Sequence, residues 1–553
     1  MWVDAPRTRG SIESMTTTSS EPDVLIVGAG PTGLVLALWL TRLGVRVRIV
    51  DKAAEPGTTS RAVVVQARTL ELYRQVGLAD AVVDAGRKFV AANLWVAGRR
   101  VGRAGFGNMG QGLSPYPYAL IYPQDEHERL LIDRLAALGV EVERRTELTG
   151  FEEGSGRAVA HLKHADGTQD TCAAAYIAGC DGTHSRVREA LRIGFPGGSY
   201  AHLFYVADVE ARGPVMNGEL HVALDTTDLL ALFPLKREGH ARLIGIVREE
   251  AEGQHEHLSW DDVSKRVIEW MRIDVARVNW FSTYRVHHRV ADHFRKGRAF
   301  LLGDAAHIHS PVGGQGMNTG IGDAVNLAWK LAAVVRGRAH AALLDSYEPE
   351  RLAFARRLVA TTDQAFKAVT SRGAIARRVR LNLVPLLVPP LFELAAVRRV
   401  MFRTISQTAV HYRGSSLSVG SAGTIHGGDR LPWVPPDSEG GEDNFTPLTS
   451  LEWQVHVYGG APPELSALCS ARGVPLHVFA WRPAIARAGL KRDAAYLVRP
   501  DGYVALADPE ASAARLQAYL DERGVITGAS SSGKAPRLPS LAEPRNPGFL
   551  GSH

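Results

Sequence analysis

The first clear pattern in the chain is a short apolar run, then glycines, then an apolar stretch of helical length. Residues 23–27 read Asp-Val-Leu-Ile-Val, which is typical of a buried strand. Apolar positions then continue to Leu43, and Gly44 predicts the end of a helix. A second strand is predicted at Val45–Val50, directly before Asp51. The pattern predicts a βαβ unit at the start of an α/β fold.

A second strand–loop–helix pattern lies in the middle of the chain. The apolar run Ala299–Leu302 ends in Gly303 and Asp304, and a turn rich in glycine and proline follows. From Met317 onward, apolar residues recur at helical spacing and fall on one face. A similar strand-and-turn pattern, 176–182, lies between these two regions. All three are predicted parts of one discontinuous domain, residues 22–188 and 282–412.

Residues 189–281 change to the alternating pattern of strands. Strands are predicted at Leu203–Val209, Glu219–Leu224, Leu229–Leu235 and Ala241–Val247. Residues 90–122 are expected to add strands to the same sheet. The region is interpreted as a β-sheet substrate domain inserted into the first domain, with one face turned towards it.

A third unit is predicted at residues 413–525. Buried strands are expected at Trp453–Tyr458 and Leu476–Trp481, and Arg499–Gly502 has the Pro-Asp-Gly pattern of a hairpin turn. A final helix is predicted to begin at Asp508 with Pro509 at its first position.

Composition narrows the class of protein. The 553 residues predict two or three domains, and a net charge of +6 gives no case for nucleic acid, although it mildly favours anionic ligands. The three cysteines have no disulfide or metal-ligand spacing, so no metal is expected and a reducing cytoplasm is the predicted compartment. Residues 1–21 and 526–553 are predicted to be disordered tails, and either Met1 or Met15 could be the start.

One apolar stretch could be mistaken for a membrane segment. Leu381–Val397 is flanked by arginines but is short for a membrane span, and three prolines interrupt it. A packed, kinked pair of helices is predicted, with a membrane-surface segment as the alternative. No integral membrane segment is expected.

The first βαβ unit carries the chemistry of a dinucleotide site. Gly28, Gly30 and Gly33 form G-x-G-x-x-G between strand and helix, and Asp51 follows Gly33 by 18 residues. The first glycine allows a tight turn, the second lets a pyrophosphate approach, and the third lets helix pack on strand. The acid lies where a carboxylate binds a ribose hydroxyl. An ordinary glycine turn is the alternative interpretation.

The central loop suits a planar, electron-rich ligand. A glycine-rich backbone can lie flat against a ring, and a helix start offers unpaired N–H groups to developing negative charge. Asp304 offers a carboxylate to a hydroxyl. These features favour a flavin site, whereas the alternative is a plain linker with a capping aspartate.

In this order, the three motifs resemble those of the single-component FAD-dependent aromatic hydroxylases, in the phenol, pentachlorophenol and polyketide hydroxylase branch. The resemblance covers residues from about 22 to 525. It implies a Rossmann-like FAD-binding domain, the inserted substrate domain and a C-terminal thioredoxin-like domain, here with Cys469 alone and therefore structural or oligomerising, so that a homodimer is one expected assembly. It implies the FAD-binding residues Gly28, Gly30, Pro31, Thr32, Gly33, Asp51, Lys52, Arg61, Gln124, Asp181, Gly303, Asp304, Pro311, Gly316, Met317 and Asn318. Pro311, Gly314, Gln315 and Gly316 would form the flavin and oxygen environment.

The resemblance implies an NADPH- or NADH-driven monooxygenase that hydroxylates a small phenolic or polyketide substrate through a flavin C4a-hydroperoxide. Tyr205 and Phe233 are candidate substrate-binding residues. His221, His287, His288 and Tyr205 are candidates for a base that ionises a phenol, and the sequence does not choose among them. Baeyer–Villiger oxidation, epoxidation, inactivation of an antibiotic of the tetracycline or rifamycin type, and an FAD-bound scaffold without turnover are the alternatives.

Overall fold

The computed structural model describes residues 21–57, 62–106, 109–154, 156–225, 229–247, 258–310, 313–370, 378, 383, 386, 390–392, 394–438 and 440–525. The strands in these residues are β1 (Val24–Val27), β2 (Val47–Asp51), β3 (Val64–Val65), β4 (Arg87–Lys88), β5 (Ala91–Val96), β6 (Arg99–Gly105), β7 (Leu120–Ile121), β8 (Val142–Arg144), β9 (Thr146–Glu153), β10 (Ala158–His164), β11 (Gln169–Ala174), β12 (Tyr176–Gly179), β13 (Gly197–Arg212), β14 (Leu220–Leu224), β15 (Leu229–Pro234), β16 (His240–Ile246), β17 (Asp274–Val290), β18 (Arg295–Lys296), β19 (Ala299–Leu301), β20 (His307–Ile308), β21 (Val419–Ala422), β22 (Ile425–His426), β23 (Gln454–Tyr458), β24 (Leu476–Phe479), β25 (Ala495–Val498) and β26 (Val504–Asp508). The helices are α1 (Pro31–Arg42), α2 (Ala67–Gln75), α3 (Ala79–Ala85), α4 (Gln124–Ala136), α5 (Arg186–Leu191), α6 (Arg266–Trp270), α7 (Gly316–Val335), α8 (Tyr347–Thr370), α9 (Ala395–Ile405), α10 (Pro463–Arg472), α11 (Pro483–Arg487) and α12 (Ala513–Glu522).

The first sheet has the strand order β18-β19-β12-β1-β2-β8. Its strands are parallel except β18, which pairs antiparallel with β19. The five parallel strands therefore have the order of the dinucleotide-binding fold, with β1 central. Their apolar side chains are buried because helices cover the sheet, and α1 packs closely on α7. The mixed α/β architecture and the Rossmann-like domain are confirmed.

The second sheet has the strand order β20-β17-β13-β16-β15-β14-β5-β6. It is antiparallel apart from the β14–β5 pair, and β5 and β6 come from the segment 90–122, as expected. The predicted domain boundary at residue 281 is wrong, because it falls inside β17, which pairs with β13 along most of its length. The alternating pattern of a long strand does not indicate where one domain ends and the next begins.

The C-terminal unit has the strand order β22-β21-β26-β25-β23-β24. β23 and β24 are parallel and flank α10, whereas β25 and β26 form an antiparallel hairpin that leads to α12. The predicted start of the last helix is wrong: α12 begins at Ala513, and the Ser512 hydroxyl caps it. The Asp508 carboxylate instead accepts hydrogen bonds from the backbone N–H groups of Glu510 and Ser512. That this unit is thioredoxin-like stays a prediction.

No helix among the described residues is long and apolar enough to cross a membrane. Much of the apolar stretch 381–397 lies outside those residues, and so do residues 1–20 and 526–553 of the two predicted tails. Within it, α9 begins at Ala395 and rests on the rest of the fold through the buried ring of Phe402.

Candidate functional site

The three glycines of the first motif have three different surroundings. Gly28 has a φ of +101°, and a Cβ there would lie 2.3 Å from the carbonyl oxygen of Cys180. A Cβ at Gly33 would lie 2.0 Å from the Gly28 carbonyl oxygen, so α1 packs on the turn only without a side chain. A Cβ at Gly30 would meet nothing within 4 Å. The first and third glycines are required by the protein itself, and the second faces open space at the start of α1.

Asp51, at the end of β2, is hydrogen-bonded to the backbone of this glycine turn. Its carboxylate accepts hydrogen bonds from the backbone N–H groups of Ala29 and Ala53, both at 2.7 Å. The Arg144 guanidinium is 3.7 Å away. Asp51 is half-buried and the neighbouring Lys52 is exposed. The carboxylate therefore fixes the glycine turn, and each oxygen retains a lone pair for a ligand hydroxyl.

The two loops that the sequence singled out lie against each other. Gly303 has a φ of +58°, and a Cβ there would lie 2.6 Å from Thr32 Oγ1. A Cβ at Gly320 on α7 would lie 2.3 Å from the same oxygen. The first turn of α1, the loop after β19 and α7 thus meet around one threonine. Asp304 is exposed at this junction, and Pro31, which precedes Thr32 in the chain, is half-buried.

The start of α7 presents backbone rather than charged side chains. Gly313 is exposed, and Gly314, Gly316 and Met317 are half-buried, while Gln315 is buried as the residue before the helix. The backbone N–H groups in the first turn of α7 carry the positive end of the helix dipole.

The Asn318 side chain is used within the protein. Its amide oxygen accepts from Gln66 N and Thr69 Oγ1, and its amide nitrogen donates to the carbonyl oxygens of Val64 and Gly314. Asn318 therefore joins the start of α7 to the β3 region. Only its backbone is available to a cofactor at that helix start.

These surroundings fit FAD. Open space at Gly30 and the start of α1 suit a pyrophosphate, and the exposed Asp304 suits a polyol chain. The glycine-rich approach to α7 suits a flat ring beside a helix N-terminus. Contacts between Gly303 and Thr32 place both halves of such a site within reach of one molecule.

The similarity of the chain to known proteins agrees with an FAD site. Residues 21–362 match the family model described as FAD binding domain. The chain belongs to this family of FAD-dependent monooxygenases. It is 35% identical over 536 residues to 6-methylpretetramide 4-monooxygenase of Streptomyces rimosus, covering 90% of this chain and 93% of that one. It is 32% identical over 382 residues to pentachlorophenol 4-monooxygenase of Sphingobium chlorophenolicum, with coverages of 66% and 69%. The solved structure of OxyS anhydrotetracycline hydroxylase from Streptomyces rimosus superposes with a TM-score of 0.73 at 29% identity, covering 92% of this chain and all of that one (100%).

The third motif of the monooxygenase reaches the same centre, because β12 ends at Gly179 and the next residue, Cys180, lies beside Gly28. The Asp181 side chain is hydrogen-bonded to residues that follow it closely in the chain. Its carboxylate accepts from the Ser185 hydroxyl at 2.6 Å and from Val187 N at 3.2 Å. Burial raises the pKa of Asp181, although these hydrogen bonds oppose the change. Asp181 thus anchors the start of α5, and its role towards FAD and NAD(P)H stays a prediction.

Gln124 lies beside the loop that precedes β3. Its side-chain oxygen accepts from Ala62 N at 3.3 Å, and its amide nitrogen donates to Glu128 at 2.8 Å. Glu128 is buried, also accepts from Gly57 N, and its pKa is raised by burial. Arg61 and Pro311, both predicted at the flavin, lie outside the described residues.

The substrate sheet has one face turned to the FAD-binding domain. Arg242 on β16 donates from Nη1 to the Ala62 carbonyl oxygen at 3.2 Å and forms a bidentate pair with Asp208. The residues that pair directly with Arg242 on the neighbouring strands lie on the same face of the sheet. So does every second residue along each strand, counted from those paired positions. We call it the cofactor-side face. Its half-buried apolar members include Leu94, Val222, Leu229, Ala231, Phe233, Ile244, Ile246 and Tyr284.

The opposite face is closed by α6 and the segment before it. We call it the core face, and its buried members include Leu203, Ala207, Leu230, Leu232 and Leu243. Tyr205 belongs here, since it pairs with Gly245 and stacks on Phe281. This position argues against the predicted substrate-binding role of Tyr205, because one step along a strand reverses the face. Phe233 pairs with Arg242 and lies on the cofactor-side face, where substrate binding stays a prediction.

The candidate bases separate in the same way. His221 lies on the core face and is fully bonded: Trp95 Nε1 donates to its Nδ1, and its Nε2 faces Asn217 Oδ1. Burial lowers the pKa of His221 to about 4, so it is neutral near neutral pH. His221 is thus a structural residue.

His288 lies on the cofactor-side face, in strand alternation with Tyr284. It is half-buried, its ring centre is 4.8 Å from that of Tyr200, and its Nδ1 has no hydrogen-bond partner among the described residues. His287, one step along, faces the other way and bonds to the Ser199 hydroxyl at 2.6 Å.

Sequence reasoning missed the group that fixes the Gly303 loop. The buried carboxylate of Asp323 on α7 accepts from Gly303 N at 3.0 Å, from His307 Nε2 at 2.7 Å and from Arg351 Nε at 2.6 Å. Burial opposes its ionisation, but the Arg351 charge holds the pKa of Asp323 below its usual value. An aspartate on the buried stripe of an apolar helix was the signal available in the sequence, since such residues are seldom buried without partners.

Proposed function

We propose that this FAD-dependent monooxygenase hydroxylates a fused-ring aromatic compound of the polyketide type, with NADPH or NADH as reductant. The observation that supports it is the broad, half-buried apolar cofactor-side face opposite the FAD loops. An apolar wall of this kind suits a large planar ring system more than a small polar phenol. The likeness to 6-methylpretetramide 4-monooxygenase over 90% of the chain supports the same substrate class.

Bound FAD would accept electrons from the nicotinamide and would activate dioxygen. The chain's part is position and electrostatics. Backbone N–H groups at Gly316–Asn318 would stabilise negative charge on the ring, since a preorganised donor typically contributes about 3 kcal/mol. The apolar side chains of the cofactor-side face would hold the substrate ring and exclude water from the reacting atoms.

His288 is the side chain that we propose as acceptor of the substrate's phenolic proton. It lies on the cofactor-side face and has an unpartnered ring nitrogen among the described residues, whereas both nitrogens of His221 are engaged. Ionising a phenol makes the ring more electron-rich, and hence a better acceptor of an electrophilic oxygen.

The assembly and compartment are also proposals. A homodimer and a reducing cytoplasm are proposed, the latter because Cys172, Cys180 and Cys469 are buried free thiols.

The test is a panel of phenolic and fused-ring polyketide compounds. The expected result is faster NAD(P)H oxidation with a fused-ring compound, and a product heavier by one oxygen on an aromatic carbon. Insertion of that oxygen next to a ketone, or across a double bond, would favour Baeyer–Villiger oxidation or epoxidation. Loss of antibacterial activity on oxidation of a tetracycline or rifamycin would favour antibiotic inactivation. No NAD(P)H-driven oxygen uptake with any compound would contradict the proposal and favour a scaffold.

A further inference from the structure

The turn of the C-terminal hairpin is buried, although hairpin tips are usually exposed. Arg499 is 0% exposed and Asp501 2%. Arg499 makes two hydrogen bonds to Glu350 on α8, at 2.8 and 3.0 Å, and two more to Asp501. Trp329 on α7 donates from Nε1 to Asp501 at 3.1 Å. The C-terminal unit therefore inserts a charged turn between the two long helices of the FAD-binding domain.

Glu350 is the centre of this buried cluster. It also accepts from Lys330 Nζ at 2.9 Å, from Asn326 at 2.7 Å and from the Ser415 hydroxyl at 2.6 Å. Burial alone would raise the pKa of Glu350, but the Arg499 and Lys330 charges hold it far below its usual value. Burial lowers the pKa of Lys330 to about 8. Arg499 is therefore the main permanent counter-charge of Glu350.

A chain of buried contacts leads from this cluster to the Gly303 loop. Arg351 follows Glu350 in α8 and donates from Nη1 to the Tyr412 hydroxyl at 2.8 Å. The Arg499 guanidinium lies 5.4 Å from the centre of the Tyr412 ring. Arg351 also bonds Asp323, which in turn accepts from Gly303 N. Every step lies in the buried interior, where charge interactions are little screened.

We propose that Arg499 is a positioning residue for FAD. Through Glu350, Tyr412 and Arg351 it fixes Asp323, and Asp323 fixes the Gly303 loop at the ribityl and ring half of the cofactor. The C-terminal unit thereby sets the affinity of a site whose predicted FAD-binding residues all lie outside it. The inference rests on the FAD assignment of that loop and is independent of the identity of the substrate.

The same two units share an ion pair that serves as a matched control. Arg74 on α2 bonds Asp443 of the C-terminal unit bidentately, at 2.7 and 3.0 Å. This pair crosses the same interface, but Asp443 does not lead towards Gly303: its other hydrogen-bond partners among the described residues are Trp433, Thr446 and Phe445. Arg74→Met therefore weakens the interface without touching the Arg351–Asp323 connection.

The experiment compares full-length Arg499→Met and Arg74→Met as apoproteins. FAD and ADP dissociation constants are measured together with urea unfolding. Arg499→Met is expected to weaken FAD binding about tenfold, as for a typical coupling between sites. ADP binding should be weakened much less, because the Gly28–Gly33 turn that serves the ADP half meets the Gly303 loop only through Thr32 among the contacts described above. Arg74→Met should leave both constants unchanged.

An equal loss of FAD and ADP affinity in Arg499→Met, or the same loss in Arg74→Met, would overturn the proposal in favour of general stabilisation. If Arg499→Met does not fold, Tyr412→Phe decides. It removes only the hydroxyl that binds Arg351 and is expected to weaken FAD binding about threefold, as for one lost hydrogen bond. Unchanged FAD affinity in that variant would overturn the proposal as well. Failure of wild-type apoprotein to bind FAD at all would instead refute the cofactor assignment.

Discussion

The two faces of the substrate sheet are built from alternate residues of the same strands, yet they have opposite surroundings. Leu243 is fully buried on the core face, and Ile244 next to it is half-buried on the cofactor-side face. The core face is closed by α6, whereas the other is turned to the loop at Ala62. The face that the protein leaves incompletely covered with its own side chains is the face that a ligand can cover.

The comparison separates side chains that stabilise the fold from those available to a substrate. Both faces are apolar, so hydrophobicity along the strands does not distinguish them. What distinguishes them is the cover: α6 and the segment before it pack on the core face. Variants at neighbouring positions should therefore divide into losses of stability and losses of catalysis.

The largest effect is expected at Leu243. Leu243→Ala should lower the free energy of unfolding by about 2–5 kcal/mol, because it leaves a cavity in a closed core. Ile244→Ala should cost clearly less stability and should raise KM for the aromatic substrate. Urea unfolding and steady-state kinetics of both variants are the measurement. Equal losses of stability with unchanged KM would show that the cofactor-side face is a second core.

A histidine pair makes the next comparison. His288→Gln should lower kcat/KM for a phenolic substrate about a hundredfold, as loss of a general base does. His221→Gln should leave kcat/KM nearly unchanged, because His221 lies on the core face with both ring nitrogens engaged. An unchanged kcat/KM in His288→Gln would exclude it as the proton acceptor.

His221 should instead affect acid stability. Its folded-state pKa of about 4 lies below the ordinary 6.5, so the unfolded chain binds the proton more readily. The stability that neutral His221 contributes is complete above pH 6.5 and is lost as the pH falls towards 4. The unfolding free energy of His221→Gln should therefore fall less steeply with acid than that of wild type. An identical slope in both would contradict the burial of His221 in its neutral form.

A smaller effect is expected at Phe233. Phe233→Ala should lower kcat/KM for a fused-ring substrate about tenfold, since an apolar contact in a binding pocket is typically worth 1–3 kcal/mol. FAD affinity should be unchanged, because the residue lies on the sheet and not in a cofactor loop. The two constants are measured on the same holoenzyme preparation. Loss of FAD without a change in kcat/KM would place Phe233 at the cofactor.

What the sequence could predict was local. The G-x-G-x-x-G turn, the Gly303–Asp304 loop and α7 each carry their signal within a few residues, because tight turns and helix starts constrain residue type directly. That the two loops serve one cofactor was implied by the resemblance to the family, whereas the contact between Gly303 and Thr32 is seen only in the structure.

The rest depends on contacts between distant segments. The Pro-Asp-Gly pattern predicts a turn at Arg499–Gly502 but does not indicate that Glu350, 149 residues away, will bury it. Alternation predicts that Tyr205 and its neighbours face opposite ways but does not reveal which face α6 will cover. Asp323 becomes a loop anchor only when Arg351 and His307 are brought to it.

The smallest effect is expected at Tyr205, and it tests the assignment of faces most directly. Tyr205→Phe keeps the ring that stacks on Phe281 and Trp260 and removes only the hydroxyl. A cost of about 1 kcal/mol in unfolding free energy is expected, as for one hydrogen-bonding group. Both kcat/KM and its pH profile should be unchanged, because the ring lies on the far side of the sheet from the cofactor loops. A fall in kcat/KM comparable to that of Phe233→Ala would mean that substrate reaches the core face, and the distinction between the two faces would fail.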